Sequence, residues 1–111
     1  MASRHSQLVG ATLNLLTLYG HSVFPIKNLA TPHIKDGKVT WSRGQLKPGV
    51  ADVCGCHAHG RFLACEIKIT PDTLRPDQLR FKAEVERRGG LFVEVRDTTQ
   101  ALIDLHKTGQ I

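Results

Sequence analysis

The chain has 111 residues, with 15 Lys and Arg against 10 Asp and Glu, a net charge of +5. That length suits one domain, residues 1–111, burying roughly two-thirds of the surface its unfolded form exposes and so folding without disulfide or metal staples. The positive balance favours a polyanionic partner. No apolar run approaches the ~20 residues that span a bilayer, and Met1-Ala-Ser-Arg-His5 lacks the apolar stretch of a signal peptide, so the expectation is an intracellular protein with no membrane partner.

Along the chain, Leu8, Ala11, Leu15 and Leu18 with Val9, Thr12, Leu16 and Tyr19 recur at helical spacing from about Ser6 to Tyr19, with Ser3 or Ser6 as the cap and Gly20 as the stop. His21 to Ile26 alternates like a strand, and Pro25 assigns it to an edge or a strand end. Residues 27–47 change character. Asp36-Gly37 between His33-Ile34-Lys35 and Lys38-Val39-Thr40-Trp41 is a strong two-residue hairpin signal. Lys35, Lys38, Arg43 and Lys47 surround Trp41 there. A basic excursion gripping a nucleic-acid backbone and a solvated hairpin whose Trp packs on the core account for this equally well.

Two short apolar strands follow, Val50 to Cys56 and Arg61 to Thr70, joined by a Gly-bounded turn that makes them antiparallel. The second carries Glu66 and Lys68 on one face, and Asp52 on the first shares that face across the ladder. Leu63, Ala64, Cys65, Ile67 and Ile69 surround the charged pair, so this strand reads as covered on both sides. A charge removed from water there costs several kcal/mol unless it is compensated. Pro76 to Arg88 is then a helix stopping at Gly89-Gly90, with Gln78, Phe81 and Val85 inward, continued by Leu79 and Ala83. Gln78 reads either as half of a capping box, with Arg75 in the place of the Ser or Thr cap, or as an active-site group. Leu91 to Arg96 is a further strand, and Asp97 or Thr98 caps a short last helix. The result is an α/β (α+β) unit, a mixed sheet flanked by helices, in the order helix, strand, basic hairpin, strand, strand, helix, strand, helix.

An acid on one buried strand, with an acid-x-Lys pair on the next, is a layout for metal-dependent phosphodiester hydrolysis. Mg²⁺ and Mn²⁺ take oxygen ligands, commonly one or two carboxylates with water and phosphate. Asp52 and Glu66 fit that count, the Ile67 backbone carbonyl between Glu66 and Lys68 adds a ligand, and Lys68 supplies charge beside the attacking water. The competing metal reading is zinc at Cys54-Gly-Cys56-His57-Ala-His59, with Cys56, His57 and His59 ahead of the buried Cys54. Cys65 points away from Glu66, and His5, His21, His33 and His106 read as surface or loop residues. Three cysteines inside strands read as reduced thiols.

Lys47-Pro48-Gly49-Val50-Ala51-Asp52, Gly60 through Lys68, and Arg75-Pro76-Asp77-Gln78 together resemble the VRR-NUC family of the PD-(D/E)XK nuclease superfamily. The likeness runs over about residues 5–107. It implies a restriction-endonuclease-like core, Mg²⁺ or Mn²⁺ dependence and DNA hydrolysis, with Asp52 and Glu66 as metal ligands, Lys68 as the catalytic lysine and Gln78 beside them. Relatives often carry a glutamate on the first helix; this helix has none, and Gln7 stands near that place as a weaker ligand. Small stand-alone members, common in phages, are similar in size and are associated with homodimers that cut branched DNA such as Holliday junctions, in bacterial cytoplasm or a phage-infected cell. The rivals are a non-catalytic DNA-binding module with this fold and a small zinc-binding nucleic-acid-binding protein.

Overall fold

The computed structural model describes residues 2–27, 31–42 and 48–111, with the backbone alone at 31–33 and 41–42. The expected order of elements is the one observed: helix α1 (Arg4–Leu18), strand β1 (Ser22–Pro25), a separate hairpin of β2 (Thr31–Lys35) and β3 (Lys38–Ser42), strands β4 (Val53–Cys56) and β5 (Phe62–Lys68), helix α2 (Pro76–Arg87), strand β6 (Leu91–Arg96) and helix α3 (Gln100–Lys107). Four strands make one mixed sheet in the order β1-β4-β5-β6, antiparallel except for the β5–β6 pair that α2 connects. The fold is mixed α+β.

Strand β5 is covered on both faces, as its continuous apolar run implies. Leu63, Cys65 and Ile67 face α1 and α3, joining Val53, Val93, Val95, Leu8, Leu16 and Leu102 in the larger core. The alternate residues face α2, where Ala64, Cys54 and Phe92 meet Val85 and Phe81. Small side chains on this second face let α2 lie close to the sheet. Gly49, at φ +81, permits a still closer approach: a Cβ there would run into the Asp77 carbonyl and the start of α2. Gly55 does the same on β4, where the Ser22 carbonyl of β1 fills the space of a side chain.

Ser3 caps α1 by accepting the Ser6 N–H, and Gly20 follows its end at φ +95. The buried stripe of α1 is narrower than the sequence implies: Leu8, Thr12 and Leu16 are buried, while Ala11 is exposed and Leu18 is 80% exposed. On α2 likewise, Gln78 and Val85 are buried but Leu79 and Ala83 are exposed, because a helix lying on a flat sheet buries one row of side chains. The β2–β3 hairpin turns at Asp36 and Gly37, both with positive φ, and pairs Lys35 with Lys38. Asp97 is not the cap of α3. It sits at φ +61 and accepts from the Thr70 N–H at 2.8 Å and hydroxyl at 2.6 Å, tying the end of β6 to the exit of β5. No described helix is long and apolar enough to cross a membrane.

Candidate active site

Asp52 lies one residue before β4, where the chain bends, rather than inside the strand. The ladder ends at the Val53–Cys65 pair, and beyond it the Asp52 side chain continues the pairing: its Oδ2 accepts the Ile67 N–H at 2.9 Å. The Asp52 carbonyl accepts from Ile26 N–H at 2.8 Å on the other side. A side chain taking the place of a backbone acceptor at a strand end is oriented by two neighbouring strands at once.

Glu66 is 3% exposed, on the face of β5 that α2 covers. Its Oε1 accepts from the Gln78 side-chain amide at 3.2 Å. Its Oε2 has no hydrogen-bonding partner, although it is buried. Burial and then the negative charge of nearby Asp52 push the Glu66 carboxyl up to about 8, against the smaller pull of the Lys68 and Arg75 cations. The neighbouring Asp52 carboxyl thus bears on Glu66 strongly, yet no well-formed hydrogen bond reaches Oε2. An acid so placed keeps its proton at neutral pH unless a cation replaces it.

Gln78 combines both expected roles. Its carbonyl oxygen accepts the Arg75 N–H at 2.9 Å, the return half of a capping box, and its amide nitrogen donates to Glu66. The two bonds fix which way the amide faces. Lys68, half-buried, follows Glu66 on the same face of β5, about 6–7 Å further along at strand spacing. Glu94 lies beside Glu66 and Arg96 beside Lys68 on β6, and these two pair with each other at 2.6 Å.

Asp52, Glu66, Lys68 and Gln78 are therefore brought together at one end of the sheet. Gln7 is not with them. Its amide donates to the Ala2 carbonyl at 3.4 Å, and it lines a shallow depression with Arg4 and Asp97. The first helix instead presents His5, whose Nε2 is 3.4 Å from Asp52 Oδ2. His5 is exposed, as expected, but its spacing gives it a partner: His5, Val9 and Leu13 fall on one helical row that leads to Asp52. Lys35 and Lys38 are exposed on the hairpin. Arg43, Lys47 and the Trp41 side chain lie outside the described residues.

The turn end of the β4–β5 hairpin holds Cys56, His57 and His59, while Cys54 and Cys65 lie back along the strands. Cys54 and Cys65 are buried, Cys56 is exposed, and all three are free thiols. Burial raises Cys54 to about 11 and Cys65 to about 12, so neither is a poised nucleophile. His21 and His57 are buried rather than superficial, with ring centroids 4.5 Å apart, and His59 lies 5.3 Å beyond His57. His106 stacks on Tyr19 at 3.6 Å. Among the described residues no group of three or more His, Cys, Asp or Glu side chains is arranged to hold a metal ion; the Asp52 and Glu66 site offers two.

No protein-family model, no curated protein and no solved structure matches this chain.

Proposed function

We propose that the protein is a metal-dependent endonuclease of the VRR-NUC type, built on a PD-(D/E)XK core and hydrolysing DNA phosphodiester bonds, with branched DNA as its substrate and a homodimer as its working form. The observation that carries this reading is Glu66: a carboxyl buried beside a second carboxyl, one oxygen lacking a protein partner, with its proton affinity raised accordingly. Such a pair costs several kcal/mol of stability unless something compensates it. A hard divalent cation fits the donor set, which is all oxygen: Asp52, Glu66 and the Ile67 carbonyl. The Ile67 N–H points to Asp52, and in a strand the carbonyl of the same residue turns to the same edge. Two carboxylates suit Mg²⁺ or Mn²⁺, which keep several waters, where zinc prefers nitrogen and sulfur.

When bound, the metal would supply an ionised water and would neutralise charge on the phosphate. The protein's part is orientation. Gln78 holds Glu66 from α2, the Ile67 N–H and His5 hold Asp52 from β5 and α1, and Lys68 brings an ammonium along the same strand face toward the phosphate oxygens. Each acid is thus aimed by rigid elements before substrate arrives. Resolving a branched junction takes two cuts, and a dimer of so short a chain is an economical way to supply two sites.

The test is incubation of supercoiled, single-stranded and four-way-junction DNA with Mg²⁺ or Mn²⁺, repeated with EDTA and with Glu66→Ala. Cleavage that needs the metal and Glu66 is the expected result. DNA binding without cutting under any of these conditions would overturn the hydrolytic reading in favour of an inert binding module.

A further inference from the structure

Asp52 borders a second feature. A groove of about 430 Å³ runs away from it between α1 and the end of β1. Its walls are apolar: Val9 and Leu13 on the helix, Pro25 and Ile26 opposite. Its rims are polar, with His5 and Ser6 at the Asp52 end and the exposed Lys27 on the β1 side. Asp52 is the one acid among the described lining residues.

Gly10 is the residue that makes the groove informative. It stands inside the fifteen-residue helix α1, where glycine is a poor choice. Apart from its chain neighbours and the nearby backbone of α1 itself, no described atom lies within 4 Å of the position its Cβ would take, and its φ is not in the left-handed region. Among the described residues, neither neighbouring packing nor backbone conformation therefore requires a glycine here. A side chain at this position would narrow the groove, and glycine keeps it wide beside Asp52.

Resting on the nuclease reading above, we infer that this groove seats the nucleoside next to the scissile phosphate, its sugar and base lying over Gly10 against Val9, Leu13 and Ile26, with Lys27 meeting a neighbouring phosphate. The volume falls within the range of small-ligand sites, and the pattern of mostly apolar lining with a few polar groups is the one such sites use. A nucleobase offers a flat apolar face whatever its sequence, so contacts of this kind tolerate sequence and suit an enzyme that reads DNA shape. Continuity with Asp52 distinguishes a nucleoside from a peptide or a second copy of this chain, because only the substrate must thread past the reacting phosphate.

The experiment uses Gly10→Leu, which fills the groove, and Lys27→Gln, which removes the cation from an exposed position and keeps the test alive should the first variant fold poorly by circular dichroism. Anisotropy of a fluorescein-labelled oligonucleotide in EDTA reads binding. Cleavage of the same oligonucleotide is compared with hydrolysis of bis(p-nitrophenyl) phosphate, a diester with no nucleoside. Gly10→Leu is expected to weaken oligonucleotide binding by about tenfold or more, the scale of one lost base contact, and to raise KM similarly while hydrolysis of the small diester is unchanged. Lys27→Gln is expected to weaken binding and to flatten its salt dependence. Variants that bind and cut the oligonucleotide as the wild type does would overturn the groove assignment alone. Wild-type protein that cuts neither substrate would overturn the nuclease reading, and the groove assignment with it.

Discussion

The two ends of the β4–β5 hairpin both bury polar groups without partners, and they do so with opposite chemistry. At the strand ends near α2, the unpartnered atom is a carboxylate oxygen, Glu66 Oε2, with Asp52 adding negative charge. At the turn, the unpartnered atoms are Nε2 of His21 and Nε2 of His57. There, backbone N–H groups from Ala58 and His59 donate to the two Nδ1 atoms at 3.0 Å, so a neutral ring carries its proton on Nε2. One end presents a carboxylate oxygen beside a second carboxyl group. The other presents weak N–H donors among tilted histidine rings at the turn. Burial alone does not separate the two ends; the sign of what is left unsatisfied does.

The carboxylate end is probed most directly at Glu66. On the proposed nuclease function, Glu66→Ala is expected to lower metal-dependent cleavage by about a thousandfold or more, since it would remove one of the two carboxylates offered to the metal. Glu66→Gln should match that loss while making the metal-free protein more stable at high pH. The sign follows from linkage: the folded carboxyl titrates near 8 rather than 4.5, so the native state holds the proton more tightly than the unfolded chain. Stability present at acid pH is then lost as pH rises through this window. Gln keeps a neutral group there, and the gain at pH 8 should be on the order of 2–4 kcal/mol. Urea midpoints at pH 6 and pH 8 measure it; a variant less stable than wild type at pH 8 would mean that Glu66 is stabilised by something other than a proton or a cation.

Gly49 tests whether close packing of α2 sets the site. Gly49→Ala combines a left-handed backbone position with a Cβ thrust at the Asp77 carbonyl and the Gln78 N–H. A cost of about 2–4 kcal/mol is expected, with a loss of cleavage that exceeds the loss of folded protein because Gln78 is displaced from Glu66. Thermal melts and activity per folded molecule check the two parts separately. Activity that merely follows the folded fraction would sever the helix position from the chemistry.

Much of this arrangement was legible in the sequence, for a physical reason. Covered strands, Gly-bounded turns and helix stops leave local signatures, and the acid-x-Lys pair in an apolar strand implies burial by itself. What stayed hidden depends on three-dimensional termination. The Asp52 side chain becomes a ladder acceptor only because β4 begins one residue later, and Asp97 becomes a clasp for Thr70 only because β5 and β6 end side by side. The row His5, Val9, Leu13 is visible at helical spacing, but its destination beside Asp52 is not. The histidines near the turn carry no periodic signal, since the buried rings of His21 and His57 meet, tilted, just beyond the end of the β1–β4 ladder.

At the turn, His57→Ala should cost about 1–3 kcal/mol through the lost acceptor for the His59 N–H, with cleavage per folded molecule unchanged. The pH response runs opposite to that of Glu66. Burial holds His21 and His57 below the usual histidine value of 6.5, so the unfolded chain takes up protons first as pH falls. Their contribution is present above that value and is lost on acidification. Removing His57 should therefore reduce acid sensitivity as well as stability, which chemical denaturation between pH 5 and pH 7 resolves.

The smallest effect is expected from zinc, and it decides whether the two ends differ in kind. For Nε2 of His21 or His57 to bind a metal as a neutral ring, the proton must move to Nδ1, and the backbone N–H now donating there must be abandoned. That exchange leaves a backbone donor unsatisfied, at a cost of about 1–3 kcal/mol for each ring. The exposed Cys56 and His59 would then have to complete a set that the described residues do not form. Protein purified without chelator should hold no stoichiometric zinc by elemental analysis, and added zinc should leave its melting temperature where it was. One tightly held zinc per chain, released together with a fall in stability, would show the turn to be a metal centre and would dissolve the contrast between its donors and the acceptors at Glu66.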